Sequence, residues 1–177
     1  AQALAVFATH DLPSARAWWM DRDIAARDRL SLYPRPGQAE EEHAQRAQDR
    51  VALVAAFVGL GLLPDGFPTD GPLSDAQAEA LGTAAHAYLC ASAARLMMVQ
   101  VEDVLGLDLQ MNLPGTTDQH PNWRHRYGLE VAALLADPRL RRHAERLRGR
   151  GAMARRACPQ DSSGQALPDG SRPAAAA

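Results

Sequence analysis

The chain has 177 residues, 46% hydrophobic and 23% charged, values that fit one globular domain with a core and exclude a disordered chain. All 19 basic residues are Arg, and a net charge of −2 leaves no overall basic field to recruit nucleic acid or anionic lipid.

Ala3 to Asp11, ALAVFATHD, is an apolar run with an abrupt polar stop. That pattern predicts a strand buried on both faces, of the parallel-sheet type. Pro13 and Ser14 open a predicted helix, SARAWWMDRDIAAR, which the breaker LYPRPG, Leu32 to Gly37, ends. Of Trp18 and Trp19, one ring is expected against the sheet and one nearer the surface. Gln38 to Val58 reads as one long helix, polar first and apolar later, before a Gly/Pro-rich connection from Gly59 to Gly71. Ser74 with Gln77 three residues on makes a capping box for the next helix, AQAEALGTAAHAYLCASAA.

Leu96 to Val101, apolar except for Gln100, is a second strand candidate. After it comes MNLPGTTDQHPNWRHR, Met111 to Arg126, which is unusually polar and stiff. Helices around Gly128–Ala136 and Arg139–Arg148, broken at Asp137-Pro138, complete a domain over residues 1–148. Residues 149–177 are poor in apolar residues and rich in breakers, which predicts a disordered tail. Two isolated parallel strands make no stable sheet, and the chain enters its first apolar run without a Met. Both features fit a fragment of a larger α/β fold.

No run reaches the roughly eighteen apolar residues of a membrane span, and Ala1 to Ala8 lacks the marks of a signal peptide. Cys90 and Cys158 stand in unlike contexts, which argues against a disulfide framework or a paired-cysteine metal site. A reducing, cytoplasmic setting is expected.

His10-Asp11, at the carboxyl end of a buried strand, stands where an α/β barrel puts its catalytic groups. Asp11 is then a carboxylate facing substrate, with His10 beside it; alternatively Asp11 caps the helix near Ser14. Glu102 and Asp103 end the second strand similarly, with helix capping or a salt bridge as the simpler role. In the long loop Pro114 and Pro121 restrict the backbone and Gly115 permits a sharp turn. Asn112, Thr116 and Asn122 offer bonds to ligand hydroxyls, and Trp123 either stacks on a sugar face or packs into the core.

Gly59-Leu60-Gly61 follows a helix and lacks the third glycine of a dinucleotide fingerprint. The six His show no HExxH pattern and none pairs with Cys at zinc spacing. The Arg-rich stretch from Arg139 to Arg156 reads as a solvated surface rather than a nucleic-acid site.

Several blocks together resemble one family. They are Thr9-His10-Asp11-Leu12-Pro13 with Trp18-Trp19, then Glu102-Asp103-Val104-Leu105-Gly106, then Asn112-x-Pro114-Gly115-Thr116 and Asn122-Trp123-Arg124. In order and spacing they resemble the C-terminal part of bacterial 4-alpha-glucanotransferases (amylomaltase, or disproportionating enzyme) of glycoside hydrolase family 77, over about Ala3 to Arg148. The resemblance implies a (β/α)8 barrel whose seventh strand is ALAVFATHD and whose eighth is LMMVQV. It implies that Asp11 stabilises the transition state, with His10, Asn112, Pro114 and Trp123 binding sugar. The implied ligands are maltooligosaccharides or α-1,4-glucan, with no metal or organic cofactor.

A retaining mechanism needs a nucleophilic carboxylate and an acid/base roughly 5–5.5 Å apart, and bonds to sugar hydroxyls that strengthen in the transition state. The resemblance places that Asp and Glu after the fourth and fifth strands, upstream of Thr9, so these 177 residues are expected to be inactive alone. The competing expectation is a non-catalytic glucan-binding or helical interaction module, which a cooperative urea melt would support. Mild departures from the family are Ser14 and Ala17, where Thr and Gly are common.

Overall fold

The structure of the chain is a computed structural model that describes residues 3–157. It is mostly helical. The elements are β1 (Leu4–Ala5), α1 (Ala15–Trp19), α2 (Arg22–Arg29), α3 (Gln38–Gly59), α4 (Asp75–Cys90), β2 (Leu96–Met97), α5 (Val101–Leu105), α6 (Val131–Ala136) and α7 (Pro138–Ala157).

The two expected strands pair in parallel, Leu4 opposite Leu96 and Ala5 opposite Met97, but both are shorter than expected. Neither is buried on both faces: Leu4 is 52% exposed and Leu96 67%. A parallel strand is buried only when sheet neighbours and helices cover it, and within the described residues each strand has one neighbour. Val101 starts α5 instead of ending β2, so Glu102 and Asp103 lie in the first turn of a helix. Acidic side chains favour that position, where the helix dipole is positive.

The helix expected from Ser14 to Arg27 breaks at Met20-Asp21 into α1 and α2. Asp21 takes a left-handed conformation, φ 55°, which Asp tolerates better than most residues. Its carboxylate is drawn toward α3, accepting from Arg50 Nη2 at 2.8 and 2.9 Å, with His43 Nδ1 at 3.0 Å. Beside it Arg46 of α3 grips Asp23 of α2 with two bonds, at 3.1 and 3.0 Å, and donates to the Trp18 carbonyl at 2.6 Å. These fixed charges join α1 and α2 to α3. The helix break is the consequence.

The core lies between α1, α3 and α4, where Trp19, Phe57 and Leu81 are almost fully buried. Burying Phe57 or Leu81 is worth about 1.5–3 kcal/mol each. Trp19 also donates its indole N–H to the Gly71 carbonyl at 2.8 Å, while Trp18 stays half-buried under the Arg46 guanidinium. Thus one tryptophan is interior and the other nearer the surface, and the interior one meets helices rather than sheet. The inward face of α4 is built from small residues, among them Ala78, Gly82, Ala84 and Ala85. At Gly82 a Cβ would come within 3.0 Å of the Asp103 carbonyl oxygen, so the missing side chain is what lets α5 approach.

The Ser74–Gln77 capping box starts α4 as expected. Pro138 opens α7 at the first helical position, which needs no N–H, and Asp137 Oδ1 accepts from the Arg139 N–H at 2.8 Å. The helix continues past the expected boundary at Gly149 to Ala157; the rest of the expected tail lies outside the described residues. No described helix is long and apolar enough to cross a membrane.

Candidate functional site

The two unusual stretches of the sequence meet. After β1 the chain turns at Thr9–Leu12, and the segment after α5 runs beside it toward the long loop. Asn112 donates its backbone N–H to the His10 carbonyl at 3.1 Å, and Ser14 donates its own to the Leu109 carbonyl at 3.0 Å. Between them the Gln110 side chain donates to the Asp11 carbonyl at 2.8 Å, and Ser14 Oγ donates to the Leu107 carbonyl at 2.5 Å. At the far end Asp103 Oδ1 accepts from the Ala15 N–H at 2.7 Å. These bonds register residues 10–15 against residues 103–112.

Asp11 stands at the open end of this seam. It does not cap α1: Ser14 does, accepting from the Ala17 N–H at 3.2 Å. The Asp11 side chain is 45% exposed and accepts from Asn112 Nδ2 at 2.6 Å through Oδ1, while Oδ2 faces His10 Nε2 at 3.4 Å. One carboxylate oxygen is thus fixed by an amide, and the group keeps an accessible side. Such a carboxylate can accept sugar hydroxyls or face a developing positive charge.

Trp123 forms the neighbouring wall. Its backbone N–H donates to the Met111 carbonyl at 3.0 Å, its ring lies 5.1 Å from the His10 ring, and it is 63% exposed, not core. Its φ of 61° is left-handed, a strained setting for a bulky residue.

The loop's stiffness has a specific source. Leu113 to Thr116 is a turn closed by Thr116 N–H to the Leu113 carbonyl at 3.2 Å, with Pro114 second and Gly115, φ 84°, third. That is the order a type II turn demands. Asn122 then clamps the loop, accepting from the Leu113 N–H at 2.9 Å and donating to Thr116 Oγ1 at 2.8 Å. Thr116 and Asn122, read as candidates for ligand hydroxyls, are engaged with each other. Pro114 is exposed on the turn and makes the bend rather than a polar contact. His10, Asp11, Asn112 and Trp123 come together; Pro114 supports them from the loop.

Gln110 gave little signal in the sequence, and Asp103 gave a role without its partner. Gln110 is buried, with its own carbonyl facing His120 Nε2 at 3.1 Å. Its only mark is being polar between apolar neighbours. Asp103, given a capping or salt-bridging role, does cap a helix, but one that starts 88 positions earlier. Glu102 accepts from the Tyr127 hydroxyl at 2.7 Å, and burial with that bond holds the phenol up at about 12. Among the described residues no group of three or more His, Cys, Asp or Glu is placed to hold a metal.

A sequence model described as 4-alpha-glucanotransferase, of glycoside hydrolase family 77, matches residues 1–130. A 4-alpha-glucanotransferase of Haemophilus influenzae is 31% identical over 140 residues, covering 78% of this chain and 20% of the relative. One from Mycobacterium tuberculosis is 36% identical over 116 residues, covering 66% and 15%. The crystal structure of amylomaltase from Corynebacterium glutamicum superposes with a TM-score of 0.62 at 24% identity, over 86% of this chain and 21% of that one, a likeness of fold. The chain spans about a fifth or less of the length of the curated relatives it matches. With the family match covering most of its length, the chain belongs to the 4-alpha-glucanotransferase family.

Proposed function

We propose that this chain forms the Asp11-bearing wall of the glucan cleft in a cytoplasmic 4-alpha-glucanotransferase that passes α-1,4-glucan segments between maltooligosaccharides with retention. The observation that carries this reading is the Asn112–Asp11 bond, which brings the two family-like blocks to one accessible carboxylate. On this reading β1 and β2 belong to the seventh and eighth strands of a (β/α)8 barrel. Their exposed faces, at Leu4 and Leu96, are then covered by barrel strands outside the sequence given.

Asp11 contributes negative charge beside the sugar as an oxocarbenium-like state develops, and accepts ring hydroxyls. His10 and Trp123 border the same sugar, and Asn112 keeps the carboxylate from turning away. The nucleophile and acid/base belong to the portion of the family's length that this chain does not span, so the 177 residues alone do not transfer glucose. The test is maltotriose disproportionation, followed by glucose release, with the isolated chain and with a protein of full family length carrying it. Transfer by the isolated chain would overturn the division of carboxylates. Unchanged turnover after Asp11→Asn in the long protein would overturn the role of Asp11.

A second reading, a non-catalytic glucan-binding or helical interaction module, draws support from the core of Trp19, Phe57 and Leu81, built entirely within the chain. It requires glucan retention or partner binding by the isolated chain, together with a cooperative urea melt.

A further inference from the structure

Asn112 holds the carboxylate of Asp11, but the direction in which that side chain leaves the backbone is set elsewhere. Thr9 to Leu12 is a turn closed by the Leu12 N–H on the Thr9 carbonyl at 3.0 Å. That bond uses neither carbonyl of the two central residues, His10 and Asp11. The His10 carbonyl accepts from the Asn112 N–H at 3.1 Å. For the Asp11 carbonyl the next donors along the chain are committed: Pro13 has no N–H, Ser14 donates to Leu109, and Ala15 donates to Asp103. The buried side chain of Gln110 reaches it instead, with Nε2 at 2.8 Å. We infer that Gln110 is a positioning residue for Asp11, fixing the peptide that follows Asp11 and so the direction of its carboxylate.

A carbonyl only accepts, so the Gln110 amide turns its nitrogen toward Asp11. Rotation about the Asp11 Cα–C bond would carry the carbonyl away from that nitrogen, and the bond therefore restrains ψ of Asp11. The peptide before the Asp11 Cα is held through the His10 carbonyl, and the peptide after it through Gln110. With both held, the Cα–Cβ bond keeps one direction. Asn112 acts further out, on Oδ1. Gln110 aims the side chain and Asn112 keeps its end from turning. The two stand two positions apart on one segment, and Met111 between them gives its carbonyl to the Trp123 N–H.

Gln110 is itself tethered to the long loop. Its carbonyl faces His120 Nε2 at 3.1 Å, and the His120 carbonyl accepts from the Asn122 N–H at 2.7 Å. The loop that carries the Trp123 ring thus also sets the place of Gln110. Without the amide donor, the Asp11 carbonyl loses its partner and the turn gains freedom to swing. A misplacement of about 1 Å can cost roughly a hundredfold in rate. Gln110 acts through Asp11 and touches no substrate, so its assignment rests on the role proposed for that carboxylate.

The test is maltotriose disproportionation by a transferase of full family length carrying this chain, with Gln110→Met, Asp11→Asn and the two combined. Methionine keeps the length of the side chain and removes the donor. We expect kcat to fall roughly tenfold with KM within about twofold, because the aim of the charge matters most as the oxocarbenium-like state develops. In the Asp11→Asn background the same substitution should cost less than about twofold, since the charge it aims is gone. Unchanged kcat in Gln110→Met overturns the assignment. So does an equal loss in both backgrounds, which is what a merely structural glutamine would give, or a loss carried wholly by KM. Should Asp11→Asn turn over like the wild type, the role of Asp11 falls, and that of Gln110 with it. Should Gln110→Met not fold, Gln110→Glu decides. It keeps the shape and donates only when protonated, so its turnover relative to wild type should fall severalfold from pH 5 to 8. A ratio that does not change with pH overturns the assignment.

Discussion

Asn112 and Asp11 are 101 positions apart and share a 2.6 Å hydrogen bond. The Asn112 backbone N–H is fixed on His10, so its side chain reaches Asp11 from a tethered position. Replacing Asn112 with Leu keeps that backbone tether and removes the amide donor. In a full-length transferase we expect turnover to fall roughly tenfold, the worth of one charge-assisted bond at a half-exposed site. Maltotriose disproportionation measures this, and melting temperature should change little. Equal turnover would separate Asn112 from the action of Asp11.

Trp123 carries backbone strain on an exposed ring. Trp123→Gly relieves the left-handed backbone, worth about 1 kcal/mol, and deletes the ring beside His10. Stability is therefore expected to hold or rise while retention on immobilised maltooligosaccharide falls. A variant that loses stability and keeps retention would mean that the ring serves packing only.

His86 of α4 and Asp103 of α5, buried side by side with His86 Nε2 3.7 Å from Asp103 Oδ2, have a signature in the pH dependence of stability. Asp103 has a folded value of about 6 against an ordinary 3.8, so its contribution is complete below 3.8 and is lost as pH rises through 6. His86 has a folded value of about 4 against 6.5, so its contribution is complete above 6.5 and is lost as pH falls through 4. Each shift corresponds to about 3 kcal/mol, and between pH 4 and 6 the two run in opposite directions. Relative to Asp103→Asn, the wild type should lose stability as pH rises over that range. Relative to His86→Phe it should lose stability as pH falls. Urea titrations at pH 4, 5, 6 and 7 measure both, and the subtraction reduces the parallel effect of His143 of α7, which burial also holds down. Two differences of the same sign would contradict a raised Asp103 and a lowered His86.

Gly82 tests the approach of α4 and α5. A Cβ there meets main chain at 3.0 Å, and main chain cannot swing aside. Gly82→Ala is expected to cost about 1–3 kcal/mol, read as a lower urea midpoint, although alanine is ordinarily the better helix former. A gain in stability would show that the two helices separate freely.

What the sequence made legible was local. Ser74 with Gln77, and Pro114 with Gly115, each act through neighbours within four positions, so their chemistry is written in short words. The meeting of His10-Asp11 with the Asn112 loop was legible only through the resemblance, because no local rule pairs residues a hundred positions apart. The helix break at Asp21 escaped for the same reason: nothing near it announces Arg50 and His43 of α3. The strands escaped differently. An apolar run such as ALAVF reports a need for burial, and cannot say whether the covering partner lies in the same sequence.

The register between residues 10–15 and 103–112 makes spacing matter as much as identity. Inserting or deleting one residue between Gly106 and Asn112 would leave every side chain type in place and bring Met111 or Leu113 opposite Asp11. This short connection is therefore a place where a change of length acts like a substitution at the carboxylate. Alanine insertions placed one at a time along it would map the seam by the loss of glucan binding.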